Sequence, residues 1–137
     1  MCRSTMKCNL IRFTQKGIGA RFKSGESLSE LVRQLLIDTD KAVDVRPLRV
    51  FFLNDLCFSL DNRRLACYFL TSSFLGRDFE VPVRQVSLDS LSHFQLRKVV
   101  NAIKSLQRCR GRFVRVRRPI TIVGRQINVV RTPKNAL

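Results

Sequence analysis

Two apolar runs rich in aromatic residues, Val50 to Leu53 and Leu56 to Leu60, are separated only by Asn54-Asp55. So short a polar connection leaves the chain one geometry, a tight β-hairpin, because Asn and Asp tolerate the left-handed backbone such turns need. Neither run alternates apolar with polar residues, so both strands are expected to be buried. The second run ends in Asp61-Asn62-Arg63-Arg64, and an apolar segment, Leu65 to Leu70, follows at once. A strand that passes directly into a helix leaves the first-turn amides without intrahelical partners, and with the helix dipole these favour an anion. Arg63 and Arg64 add planar donor groups suited to phosphate or carboxylate. The plainer alternative is that Asp61 pairs with Arg64 or a neighbour while Asn62 caps the helix.

The flanking segments supply packing partners for this unit. Ser27-Leu-Ser-Glu30 has the spacing of a reciprocal capping box, and Leu28, Leu31, Val32, Leu35 and Leu36 follow at helical spacing. Asp38-Thr-Asp40 closes that helix, and Pro47 introduces the first hairpin strand. Thr71-Ser-Ser and Gly76 mark a loop after the second helix. Glu80-Val-Pro-Val-Arg-Gln-Val86 reads as a strand, with Pro82 arguing for the edge of a sheet because it has no amide to donate. A third helix is expected from about Leu91 to Gln107, with Leu91, Phe94, Val99, Ile103 and Leu106 on one side; His93 falls in its first turn, facing solvent or capping. From Arg108 to Pro119, apolar and basic residues alternate, as in a strand with one face on protein and the other on phosphate. Ile120 to Val123 and Gln126 to Val130, around Gly124-Arg125, read as a second hairpin. The sum is an α+β chain with a mixed sheet and packed helices over residues 1–107, followed by a basic, β-rich extension over 108–137.

The order and spacing of several short motifs resemble the ParB/sulfiredoxin-like superfamily, in particular the ParB-like domain of polymorphic toxins. These motifs are Phe13-Thr-Gln-Lys-Gly-Ile, Phe22-Lys-Ser-Gly-Glu-Ser-Leu, Pro47-Leu-Arg-Val, Leu60-Asp-Asn-Arg-Arg-Leu and Val81-Pro-Val. The likeness covers roughly the first two-thirds of the chain. It implies a small ParB/sulfiredoxin-like domain in which Asp61, Asn62, Arg63 and Arg64 form the phosphate- or nucleotide-holding box at the start of a helix. Asn62 stands where sulfiredoxins carry their nucleophilic Cys and ParB proteins a Glu. The resemblance therefore carries the anion-holding half of the motif and leaves out the sulfinic-reduction chemistry.

Charge is distributed unevenly. Residues 1–25 hold six basic and no acidic residues; residues 26–89 hold eight basic and all ten acidic ones; residues 90–137 hold twelve basic and none acidic. A net charge of +16 sorted in this way points to a polyanion. The candidate contacts are Arg97, Lys98, Lys104 and Arg108 on the third helix. Arg110, Arg112, Arg115, Arg117 and Arg118 continue them along the strand, and Arg125 and Arg131 lie on the last hairpin. Five cysteines show no Cys-x-x-Cys spacing, and a single histidine gives them no zinc partners. Cys57 and Cys67 lie in apolar segments and read as small buried hydrophobes, and unpatterned thiols in odd number argue for a reducing compartment. No apolar run has membrane-spanning length and no secretory core is present. The basic, acid-free first 23 residues are similar in composition to an organellar transit peptide, yet they also carry the Phe13 motif and read as part of the fold.

These features favour a non-catalytic, RNA-embedded subunit of a ribosome of organellar, mitochondrial type, or of a similar ribonucleoprotein. Its partners would be rRNA and neighbouring proteins of the particle, with DNA ranking below RNA; no cofactor, metal or catalytic residue is called for. The alternative is a ParB-like nuclease or nucleotide-hydrolysing toxin domain that uses the Asp61-Asn62-Arg63-Arg64 box.

Overall fold

The computed structural model describes residues 4–133. In chain order these run through β1 (Ser4–Lys7), β2 (Ile11–Arg12), β3 (Gly17–Ile18), α1 (Leu28–Ile37), β4 (Leu48–Leu53), β5 (Leu56–Ser59), α2 (Asn62–Leu75), β6 (Glu80–Gln85), α3 (His93–Ser105), β7 (Phe113–Ile122) and β8 (Arg125–Arg131). A mixed five-stranded sheet has the order β1-β6-β4-β5-β2, and a smaller sheet has the order β3-β7-β8. The class is α+β.

The hairpin β4–β5 forms as its turn requires. Asn54 and Asp55 both take positive φ, 50° and 64°, and Leu53 sits opposite Leu56. Two-residue turns of this left-handed kind match the twist of the strands they join. Val50 and Cys57 belong to the main core, whereas Phe51 and Phe58 belong to a second cluster with Val99 and Ala102 of α3. Both faces of the hairpin are thus covered, which is why its strands carry no polar alternation. Phe51 and Phe58 are cross-strand partners whose rings stack at 5.9 Å, and burying each contributes roughly 1.5–3 kcal/mol.

Helix α1 starts at Ser27, whose hydroxyl accepts from the Glu30 amide at 3.2 Å, and it buries Leu28, Leu31, Val32 and Leu35. The reciprocal half of the expected capping box is not made; Glu30 instead lies 3.6 Å from Arg33. Helix α2 is buried almost all round, from Leu65 to Ser72, and ends where Gly76 adopts φ 70°. A helix without a solvent face is a core element, and the other layers pack around it.

Four expectations need correction. Thr71-Ser-Ser is not a loop: α2 runs through it to Leu75, where the buried Thr71 hydroxyl donates back to the Cys67 carbonyl at 2.8 Å and the Ser72 hydroxyl to that of Arg77 at 2.8 Å, so neither opens the helix. Pro82 is not on an edge: β6 lies between β1 and β4. The proline fits there because the β4 ladder begins only at Leu48 opposite Val83, beyond the position that lacks a donor. Helix α3 is two residues shorter at each end than expected, and it meets the hairpin through Val99 and Ala102. Phe94 and Ile103 flank that narrow line of contact and stay 65% and 51% exposed. The strand after α3 runs unbroken through Pro119 to Ile122, with a register irregularity between Arg115 and Ile120, and its turn is Val123-Gly124, one residue early. The second hairpin packs on the core. Val114, Val116, Ile120, Ile122 and Val130 join the main cluster, and β7 pairs in parallel with β3 through Gly17 opposite Arg115.

Phe58→Ala should lower unfolding free energy by about 3–5 kcal/mol, and the exposed Phe94→Ala by less than about 0.5 kcal/mol. Urea titrations of both variants check this, and equal costs would contradict the two-sided burial of the hairpin. Among the described cysteines, Cys8, Cys57 and Cys67 are buried and Cys109 is partly exposed. Burial pushes the Cys57 thiol up to about 12 and raises the Cys8 and Cys67 thiols as well. In native protein a thiol reagent should therefore modify Cys109 well before those three, as peptide mapping over time would reveal.

Candidate anion-binding cleft and the helix-start box

The box is built where β5 turns into α2. Asp61 occupies the N-cap position, yet its carboxylate makes no bond to the helix amides. One oxygen accepts from Arg49 Nη2 at 2.7 Å; the other accepts from the Arg49 amide at 2.8 Å and lies 3.1 Å from Arg64 Nη2. Burial alone would raise the Asp61 pKa, but the bonds from Arg49 and the charge of Arg64 outweigh it and hold the carboxyl below the usual range. Arg64 is only 14% exposed and also donates to the carbonyls of Arg46 and Pro47. Both partners of Asp61 therefore serve the fold: they tie the start of α2 to β4.

Asn62 is the first residue of α2 rather than its cap, and it is 2% exposed. Its Oδ1 accepts from the Thr14 amide at 2.8 Å, and its Nδ2 donates to Thr14 Oγ1 at 2.9 Å and to Gln15 Oε1 at 3.0 Å. Thr14 in turn donates to the Ser59 carbonyl, and the Ser59 hydroxyl accepts from the Asp61 amide. This closed network locks the Phe13-Thr-Gln-Lys segment onto the helix start. Arg63, partly exposed, is the box residue that takes no part in these networks; it donates to the Arg21 carbonyl at 2.7 Å. An amide with all its hydrogen-bonding groups engaged cannot act as a base. Among the described residues no group of three His, Cys, Asp or Glu could hold a metal ion.

The cations grouped by sequence do not share one fate. Lys98 is half-buried: it donates to the Leu60 carbonyl at 2.8 Å, lies 5.5 Å from the Phe94 ring centroid, and has its pKa lowered, chiefly by burial. The other ten are exposed. Arg125 lies over Phe74 and Arg131 over Phe113. Lys104, Arg108 and Arg115 line a cavity of about 890 Å³ between α3, the segment after it and the Phe13–Lys16 segment. Arg108, Arg110, Arg112 and Arg131 line a second cavity of about 470 Å³, and Arg108, Cys109 and Phe113 are common to both. Arg97, Arg117, Arg118 and Arg125 line neither. The crowding registers on Arg12, whose pKa is lowered by burial and then by Arg112 and Arg110.

The larger cavity also takes residues that charge alone did not single out: Thr14, Gln15, Lys16, Asn101, Ser105 and Gln107. The Phe13-Thr-Gln-Lys motif was a signal for the first three; nothing in sequence pointed to Asn101, Ser105 or Gln107. No carboxylate lines either cavity. The walls meet at Gly111, which has φ 70° and whose carbonyl accepts from the Phe13 amide at 2.8 Å. A Cβ there would fall 2.4 Å from the Phe13 carbonyl oxygen, so only glycine brings the two segments together.

Fold and site together define a small α+β domain with an acid-free basic cleft beside a structurally committed box. No family model, no curated protein and no solved structure matches the chain. Among the described residues no helix is long and apolar enough to cross a membrane.

Asp61→Asn should cost on the order of 3 kcal/mol, because it leaves two partly buried guanidinium groups without their counter-charge. The folded pKa of Asp61 is depressed, so its contribution is present above the unfolded carboxylate pKa of about 4 and is lost as pH falls below it. Thermal melts at pH 7 and pH 3 should therefore separate wild type from variant at the higher pH and bring them closer at the lower.

Proposed function

We propose that this chain is a non-catalytic nucleic-acid-binding structural protein, an RNA-embedded subunit of a ribosome of organellar, mitochondrial type or of a similar ribonucleoprotein. The observation that carries the reading is the array of outward-facing cations on α3, β7, β8 and the segment between them, with no acidic residue anywhere in 90–137. Among the described residues the ion pairs are Arg33–Glu30, Arg49–Asp61 and Arg64–Asp61, and none involves a cation of that array. So many unpaired like charges repel one another and destabilise the compact state; a polyanion relieves that repulsion. Alternation along β7, with Val114 and Val116 inward and Arg115 and Arg117 outward, gives the array a rigid base.

The nuclease alternative needs a residue free to activate water at the box. Asp61 is held ionised between two arginines and Asn62 is fully bonded, which favours the scaffold reading of those residues.

Three measurements test this proposal. Binding to RNA should fall steeply with salt, with a log–log slope of about −4 to −6 if some six phosphates are contacted; a slope near zero contradicts it. Protein from its natural source should co-sediment with ribosomal or comparable particles after a high-salt wash. Incubation with nucleotides and with single- and double-stranded nucleic acids, with and without magnesium, should give no hydrolysis. Turnover that disappears in Arg63→Ala, a substitution at the box residue outside the Asp61 and Asn62 networks, would establish the enzyme instead.

A further inference from the structure

The larger cavity differs from the surrounding charged surface in being concave, mixed in chemistry and anchored from behind. Lys16, Lys104, Arg108 and Arg115 surround it, all exposed, and their side chains have no ion-pair or hydrogen-bond partner among the described residues. Its volume of about 890 Å³ is far more than a lone phosphate fills and lies within the range of organic-ligand sites. Side-chain amides project into it as well. Gln15 has its oxygen occupied by Asn62 Nδ2, which leaves its amino group as a donor, and Asn101 on α3 is exposed. Apolar lining comes from Phe113, half-buried, with the Arg131 guanidinium 5.3 Å from the ring centroid.

Cations, amide groups and an aromatic face match the three parts of a nucleotide: phosphate, base edge and base plane. A duplex offers only its convex backbone to such a hollow, since its bases are stacked inside. We infer that the cleft seats one unpaired nucleotide of a single-stranded RNA segment, its phosphate on the cation rim and its base against Phe113 and the amides of Gln15 and Asn101. The inference rests on the nucleic-acid reading above and adds to it a preference for single strands.

The test uses the full chain, fluorescence anisotropy, a labelled single-stranded RNA of about ten nucleotides and a blunt RNA duplex of matched phosphate number. Asn101→Phe places bulk in the cleft without changing charge, from an exposed helix position. It should weaken single-strand binding roughly tenfold, the worth of about one stacked base, and leave duplex binding within about twofold. Lys104→Ala/Arg108→Ala should weaken single-strand binding more than Arg117→Ala/Arg118→Ala, which removes equal charge away from the cleft. That pairwise comparison decides the matter by itself if circular dichroism shows Asn101→Phe to be misfolded. Free nucleoside monophosphate should compete only at far higher concentration than the oligonucleotide; competition at equal concentration would assign the cleft to a free nucleotide and overturn the strand. Equal losses from the two double variants, or an Asn101→Phe protein that binds like wild type, would leave a diffuse charged surface and remove the cleft. If wild type binds neither RNA, both this inference and the function proposed above fall.

Discussion

The carboxylate of Asp61 is the point on which the architecture turns. It receives hydrogen bonds from the amide and guanidinium of Arg49 and neutralises Arg64, so one side chain joins the central strand β4 to the first turn of the buried helix α2. The surrounding backbone is held by Ser59, Thr14 and Asn62, each nearly inaccessible and each hydrogen-bonded. Satisfied networks of this kind stiffen a core because removing any member leaves another polar group buried without a partner. Stability here is local and directional, where elsewhere in the chain it comes from apolar area.

Much of the fold was legible in the sequence because its strongest signals are local. Asn54-Asp55 between aromatic runs leaves a single turn geometry, and Ser27 with leucines at helical spacing leaves a single helix face. Pro82, α3 and the last hairpin misled for one shared reason: their placement depends on what lies across from them. A proline reads as an edge residue until the ladder is seen to begin one residue later. Phe94 reads as core until α3 is seen to bury Val99 and Ala102 against the hairpin and leave Phe94 outside that contact. Long-range pairing of β3 with β7 leaves no trace in the residues of either strand.

The site was legible by composition and obscure by position. Exclusion of acids from residues 90–137 identified a cationic surface, and the alternation around Arg115 and Arg117 identified its outward face. The box was legible as a helix start, but not the direction of its side chains. Arg64 turns to the carbonyls of Arg46 and Pro47, and Lys98 turns to that of Leu60. Both are decided by unpaired backbone acceptors that a sequence does not display. Thr14 and Gln15 become neighbours of Asn62 only because β2 pairs in parallel with β5.

The pairing of β3 with β7 also bears on how the chain reaches this state during synthesis. Residues 17 and 18 are made well before their partners Arg115 and Val116, with α1, α2, α3 and the central sheet between them. Edge strand β1 likewise waits for β6, although α1 and the β4–β5 hairpin complete themselves from neighbouring residues. Contacts between distant parts of a chain form slowly because loop closure precedes any gain. The acid-free segment that carries β3 thus leaves the exit tunnel without its sheet partner, open to any polyanion nearby, until β7 follows it.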